Sequence, residues 1–181
     1  MSDTVIDLIR HGEPVGGRRY RGHIDDPLSD RGWQQMWSAV ENPGAWEQII
    51  SSPLVRCSAF AQALAEKLDI PYRKDERLME VGFGDWEGLT GDQLRLRDPQ
   101  ILARFYRDPV QQRPKDAERL EDFQSRVSAV FEDVQRTHDG QRVLLVTHAG
   151  VIRAVIAHVV RAPLSALYRI SVPTASLARV H

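Results

Sequence analysis

The chain has a single cysteine, Cys57, so no intrachain disulfide can form and the sequence suits a reducing compartment. It has no apolar stretch near the roughly 20 residues that a membrane span needs. Its first apolar run, Val5 to Ile9, is short and interrupted by Asp7, which excludes the hydrophobic segment of a signal peptide. There is almost no net charge: 24 Lys and Arg against 25 Asp and Glu leave −1. That balance argues against a general nucleic-acid or membrane-surface binder, so any anion site must come from local clustering of basic residues. Repeats, low-complexity tracts and linkers are also missing. The expectation is one cytoplasmic domain over residues 1–181.

What is present is an ordinary globular composition, 42% hydrophobic and 27% charged over 181 residues, sufficient for a core without a structural metal. Val5–Ile9 reads as a strand, followed by a Gly- and Arg-rich loop from Arg10 to Pro27. Ser29 is a plausible N-cap for a helix to about Val40, with Trp33, Met36, Trp37 and Val40 on one face. Glu47–Ser51 reads as a strand, and Pro53 as the first turn of an Ala-rich helix ending near Leu68. Tyr72–Leu78 is expected to be extended, with two short helical pieces between Asp92 and Tyr106. Leu120, Phe123, Val127, Val130, Phe131 and Val134 recur at helical spacing between Glu118 and Arg136. Val143–Val146 is a continuous apolar run, as for a strand buried on both faces. A helix over Gly150–Val160 and a last strand over Ser176–Val180 follow.

Strands alternating with helices predict an α/β fold, a three-layer sandwich around a mostly parallel sheet. Such sheets bind ligands beyond the carboxyl ends of their strands. Arg10-His11, then Ser51, Ser52 and Arg56, then Thr147-His148 all fall at predicted strand ends. Two arginines and two histidines from three strands can thus converge. Guanidinium forks match phosphate oxygens and stabilise charge that builds on them during transfer. A neutral imidazole is a competent nucleophile at pH 7. The departing alkoxide also needs a proton donor, which a carboxylic acid provides. Glu80 is the best candidate, in competition with Glu13 and Glu87.

These residues sit in patterns that resemble the histidine phosphatase superfamily, also called phosphoglycerate mutase-like. Leu8-Ile9-Arg10-His11-Gly12-Glu13 is similar to its RHG signature. Asp26-Pro27-Leu28-Ser29-Asp30-Arg31-Gly32, Ser51-Ser52-Pro53-Leu54-Val55-Arg56, Leu78-Met79-Glu80 with Gly84-Asp85-Trp86-Glu87-Gly88, and Val146-Thr147-His148-Ala149-Gly150-Val151-Ile152-Arg153 resemble four further elements, in order. The resemblance implies a phosphoglycerate mutase-like fold, with a helical and loop insertion at about 82–117 covering the site. It implies His11 as nucleophile, Arg10, Arg56 and His148 as the phosphate pocket, Glu80 as general acid and then base, and no metal or organic cofactor. Gly22-His23-Ile24-Asp25-Asp26-Pro27-Leu28 and Phe83-Gly84-Asp85-Trp86-Glu87-Gly88 look most like the alpha-ribazole phosphatases, which remove a 5′-phosphate in cobalamin biosynthesis. On that likeness Arg21, Gly22 and His23 join the substrate-binding candidates. Two positions depart from the family pattern: no Asn follows the RHG in Pro14–Arg19, and Ala117-Glu118-Arg119 stands where many members have Gly-Glu-Ser.

Other chemistries lack their residues. Cys57 does not have the C-x5-R spacing of a cysteine phosphatase and reads as a small buried helix residue. No P-loop is present, and His148 and His158 do not have the i, i+4 spacing of helical zinc ligands. The partner implied is a small-molecule phosphate monoester, with the last strand available to pair in a homodimer. A broad-specificity sugar or nucleotide phosphatase, a phosphoglycerate mutase, and a non-catalytic phospho-ligand-binding module stay open at this stage. So do two readings each for the Arg18, Arg19 and Arg21 cluster (solvated loop or gate) and for His23 (loop brace or substrate contact).

Overall fold

The computed structural model describes residues 4–42 and 44–181. Met1–Asp3 and Pro43, both within the expected 1–181 domain, lie outside the described residues. The central sheet comprises β1 (Val5–Arg10), β2 (Gln48–Ser51), β3 (Tyr72–Lys74), β4 (Arg142–Thr147) and β5 (Leu177–Val180), in the order β3-β2-β4-β1-β5. β1, β2, β3 and β4 run parallel, and β5 pairs antiparallel with β1 through Ile6↔Val180 and Leu8↔Ala178. The expected α/β architecture is therefore present, with one antiparallel edge strand.

Period-two alternation sorts the strand residues between two apolar layers. Ile6, Leu8, Ile50, Val143 and Leu145 face the cluster built with α5 (Leu120–Thr137) and α6 (Ala149–Val159). Ile9, Ile49, Leu144 and Val146 face the cluster built with α1 (Asp30–Ala39) and α2 (Val55–Leu68). Helices on both sides explain why β4 is continuously hydrophobic. Ser29 caps α1 as expected: its Oγ accepts from Gly32 N at 3.0 Å and donates to Glu13 O at 3.0 Å. A Cβ on Gly12 would come within 2.3 Å of Gly32 O, so this glycine lets the start of α1 press against the loop that follows His11.

Several boundaries differ from the sequence reading. α2 begins at Val55, two residues past Pro53. The extended stretch from Tyr72 stops at Lys74, because Asp75 accepts from Arg77 N and turns Glu76–Leu78 into a 3-10 helix. Within 82–117 lie α3 (Gly91–Arg97), with a Thr90/Gln93 capping box, and α4 (Ile101–Arg107). Phe105 of α4 packs edge-on to Trp86 and Tyr168, and Trp86 also meets Tyr20. No helix among the described residues is long and apolar enough to cross a membrane.

Asp7, the polar break in β1, is 3% exposed and accepts from Trp46 Nε1 (2.7 Å), Arg142 Nε (3.1 Å) and Arg179 Nε (2.7 Å). It ties β1 to both neighbouring strands. Asp7→Ala should lower unfolding free energy by about 3 kcal/mol, the lower end for a broken buried ion pair because Arg142 and Arg179 keep access to water. Urea unfolding with an unchanged m-value measures it.

Candidate active site

The carboxyl ends of three parallel strands bring the histidines together. Arg10 pairs with Thr147 across β1 and β4, and His11 N donates to Thr147 O at 2.9 Å. Ser52 N donates to Val146 O at 3.0 Å from the end of β2. The rings of His11 and His148 then lie 5.2 Å apart at 67°. Both are buried, His148 completely.

Each ring is held from behind. His11 Nδ1 lies 2.7 Å from Gly12 O. A carbonyl only accepts, so the proton sits on Nδ1 and the Nε2 lone pair is free. His148 Nε2 lies 2.8 Å from Ser52 Oγ, which also accepts from Leu54 N at 3.3 Å. Cys57 Sγ lies 3.6 Å from His148 Nε2. Burial pushes the Cys57 thiol up, so it stays a neutral packing group, as expected from its spacing.

Burial, reinforced by the Arg56 charge, holds both His11 and His148 well below the ordinary imidazole value near 6.5. Both rings are therefore neutral at pH 7. The unfolded chain would take up these protons first, so the two histidines contribute full stability above about pH 6.5 and lose it as pH falls towards their depressed folded values. Ring 15N shifts of the free protein should show both histidines neutral from pH 8 to pH 6. A midpoint near 6.5 for either would contradict their burial.

The arginines take different positions. Arg56, 1% exposed, donates from Nη1 to Ile24 O (2.7 Å) and from Nη2 to Gly22 O (2.9 Å). Arg10 donates from Nη1 to Val172 O at 2.6 Å. Among the described residues, Arg10 Nε and Arg56 Nε are two of only three buried side-chain polar atoms without a partner. Unsatisfied buried donors are costly, and a bound oxyanion satisfies them. Gly22, at φ +51, turns its carbonyl onto Arg56. Arg21 pairs with Asp26 (2.9 Å) and donates to Val15 O and Gly17 O, both at 2.7 Å, which braces the loop.

The carboxylate of Glu80 accepts from Val81 N (2.9 Å) and Gly150 N (3.3 Å), which puts it against the first turn of α6, beside His148. Its backbone carbonyl is held by His23 Nε2 (2.9 Å) and Arg126 Nη2 (3.1 Å). His23 thus supports the backbone of Glu80. Glu87 Oε1 accepts from Phe83 N and His23 N, which braces the loop. Glu13, the other competitor, lies near Arg31 and is bound through its backbone to Gln35 and Ser29.

The sequence reading did not single out Arg126 or Glu118 as supports. Arg126 on α5 donates to Arg77 O, Met79 O and Glu80 O, and Glu118 pairs with it at 2.7 Å while accepting from Gly82 N. Burial would raise the Glu118 carboxyl, but hydrogen bonds from Arg126 and Gly82 outweigh it and hold the group below its usual range. The one available signal was an arginine on an otherwise apolar helix flank eight residues after Glu118. Chemically, the arrangement offers a free imidazole lone pair, two unsatisfied guanidinium donors, a second neutral imidazole and a carboxylate at the carboxyl edge of the sheet.

A profile described as "Histidine phosphatase superfamily (branch 1)" matches residues 6–181. The chain belongs to that superfamily. The chain is 32% identical over 179 residues to a bifunctional protein of Mycobacterium tuberculosis, covering 96% of this chain and 49% of the other. The chain thus spans about half the length of the first curated relatives it matches. It is 29% identical over 170 residues to the adenosylcobalamin/alpha-ribazole phosphatase of Salmonella typhimurium, covering 91% of this chain and 84% of that one. The solved structure of a mycobacterial glucosyl-3-phosphoglycerate phosphatase with VO3 superposes at a TM-score of 0.87 with 28% identity, over 97% of this chain and 90% of that one. The superfamily expected from the motifs, and its fold, are both confirmed.

Proposed function

We propose that the protein is a phosphomonoesterase that works through a phosphohistidine on His11. The observation that carries this is the bond from His11 Nδ1 to Gly12 O: it aims an unprotonated Nε2 from a buried ring whose neighbours are the two unsatisfied arginines. In the first step Nε2 bonds to phosphorus while the ester P–O bond breaks, and Glu80 gives its proton to the leaving oxygen. In the second, Glu80 takes a proton from water, the hydroxide oxygen bonds to phosphorus, and the P–N bond returns its electrons to His11. Arg10, Arg56 and neutral His148 stabilise the equatorial oxygens in both steps. Residues 82–117 form the cover over this site.

The finer reading of alpha-ribazole 5′-phosphate as substrate is supported by the Gly22–Leu28 and Phe83–Gly88 elements and by the Salmonella relative. The structural match to the mycobacterial phosphatase supports a different ester. Turnover of p-nitrophenyl phosphate in EDTA, with solvent 18O appearing in released phosphate, tests the class. Transfer between two positions of one substrate without phosphate release would mark a mutase instead. Tight binding of a phospho-ligand without turnover would mark a binding module.

A further inference from the structure

Glu80 sits on irregular backbone. Residues 79–83 lie between two 3-10 turns, Glu76–Leu78 and Gly84–Trp86, and belong to no helix or strand. No ladder of their own fixes them, so their main-chain groups need partners from elsewhere. Arg126 supplies most of these. A guanidinium has five N–H donors in a fixed planar fork, and Arg126 uses all five. Nη1 donates to Arg77 O (2.7 Å) and Met79 O (2.8 Å), and Nη2 to Glu80 O (3.1 Å) and Glu118 Oε2 (3.0 Å). Nε donates to Glu118 Oε1 at 2.7 Å. One planar group thus grips three carbonyls of the stretch Arg77–Glu80.

The same group is tied to the ends of the 82–117 segment. Glu118 N donates to Gly82 O at 3.1 Å, and Glu118 Oε2 accepts from Gly82 N at 3.0 Å, so the two ends close on each other. Arg113 adds bonds to Gly82 O (2.8 Å) and Glu118 O (3.0 Å). On its other side the Arg126 guanidinium stacks 4.7 Å from the Phe123 ring centre, one turn earlier on α5. The backbone of Glu80 and the neck of the 82–117 segment therefore share one fork, mounted on a rigid helix. His23 bonds the same Glu80 carbonyl, but it is exposed and holds no other carbonyl of the stretch.

We propose that Arg126 is a positioning residue for proton transfer. Held flat by Glu118 and Phe123, it fixes the main chain of Glu80 so that the carboxyl meets the leaving oxygen in the first step and water in the second. This rests on the phosphomonoesterase reading above and adds a residue that touches neither substrate nor phosphate. Its removal has a kinetic signature. A displaced carboxyl harms the acid step only where the leaving group needs a proton, and harms the base step for every ester. kcat/KM covers the steps up to ester cleavage, whereas kcat also contains hydrolysis of the phosphohistidine.

In Arg126→Met, kcat/KM for an alkyl ester such as glycerol 3-phosphate should fall about 10- to 100-fold, the scale of a misplacement of about 1 Å. For p-nitrophenyl phosphate, kcat and KM should fall together while kcat/KM stays within about threefold of wild type. A burst of p-nitrophenol should appear or grow as phosphohistidine accumulates. The ratio of kcat/KM between the two esters is internal to each protein, so it is read from whatever fraction folds. Arg126→Lys keeps a charge beside Glu118 but loses the fork, and should show the same signature more weakly. In a Glu80→Gln background, adding Arg126→Met should leave that ratio where it is, because the acid being positioned has gone. Equal losses of kcat/KM on both esters in the Arg126 variants, or a further change of the ratio in the double variant, would overturn the positioning role and make Arg126 a brace for the fold alone. Either result leaves the phosphomonoesterase reading standing, provided that the wild-type protein hydrolyses p-nitrophenyl phosphate. If the wild type hydrolyses no ester, that reading fails and the positioning role falls with it.

Discussion

His11→Ala should lower kcat/KM for every phosphomonoester by on the order of 10^4-fold or more, the scale seen when a covalent nucleophile is removed. Nothing else in the site can replace it. His148 faces Ser52 with Nε2 and is completely buried, and the Cys57 thiol is held protonated by its burial. The fold should survive, because among the described residues the His11 ring makes one side-chain hydrogen bond, to its own neighbour Gly12. His11→Gly would open space beside Gly12, and imidazole added to the buffer should restore part of the activity by acting as the missing nucleophile. Steady-state kinetics with p-nitrophenyl phosphate measure both effects. A variant that keeps more than about a tenth of wild-type kcat/KM would put the attack on a different group.

Glu80→Gln separates substrates by their leaving groups. An alkoxide must be protonated as it departs, whereas p-nitrophenolate leaves readily without help. The loss should be about 10^2–10^4-fold for alkyl phosphates, the usual range for a general acid, and within about 10-fold for p-nitrophenyl phosphate. Glutamine is nearly isosteric: its amide oxygen can keep the bond that Oε1 accepts from Val81 N, and only the longer bond from Gly150 N to Oε2 is given up. Its supports act on the backbone of Glu80, through His23 and Arg126, and are untouched by the change. Equal losses on both ester types would show that the carboxylate holds the loop or the ligand and does not handle the proton.

The layer architecture could be read from the chain because each strand carries its own evidence. Val143–Val146 is apolar at every position since both faces are covered, and Ser29 announces α1 by a cap that the structure contains. The antiparallel sense of β5 could not be read, because Leu177–Val180 is too short to specify which strand it joins. Lys74 ended β3 early for a local reason, the Asp75 side chain competing for backbone N–H groups. In the site, His11, Arg10, Arg56, Ser52 and His148 were legible because strand ends in a parallel sheet gather at one edge. The supports of Glu80 were not. Arg126 reaches Met79 and Glu80 across more than 45 residues of sequence, and its partner Glu118 looks in the chain like any exposed glutamate before a helix. The arginine cluster divides only in three dimensions: Arg19 and Arg21 turn back onto their own loop, and Arg18 has no partner among the described residues.

The most direct test is to quench the enzyme with alkali within a turnover of p-nitrophenyl phosphate and map any phosphorylated residue by mass spectrometry, with 31P NMR of the denatured protein alongside. A phosphoramidate that survives base, is lost in acid and maps to His11 is the expected species. Phosphate on any other side chain, or complete turnover with no phosphorylated protein at any quench time while solvent 18O still enters the product, would contradict the account.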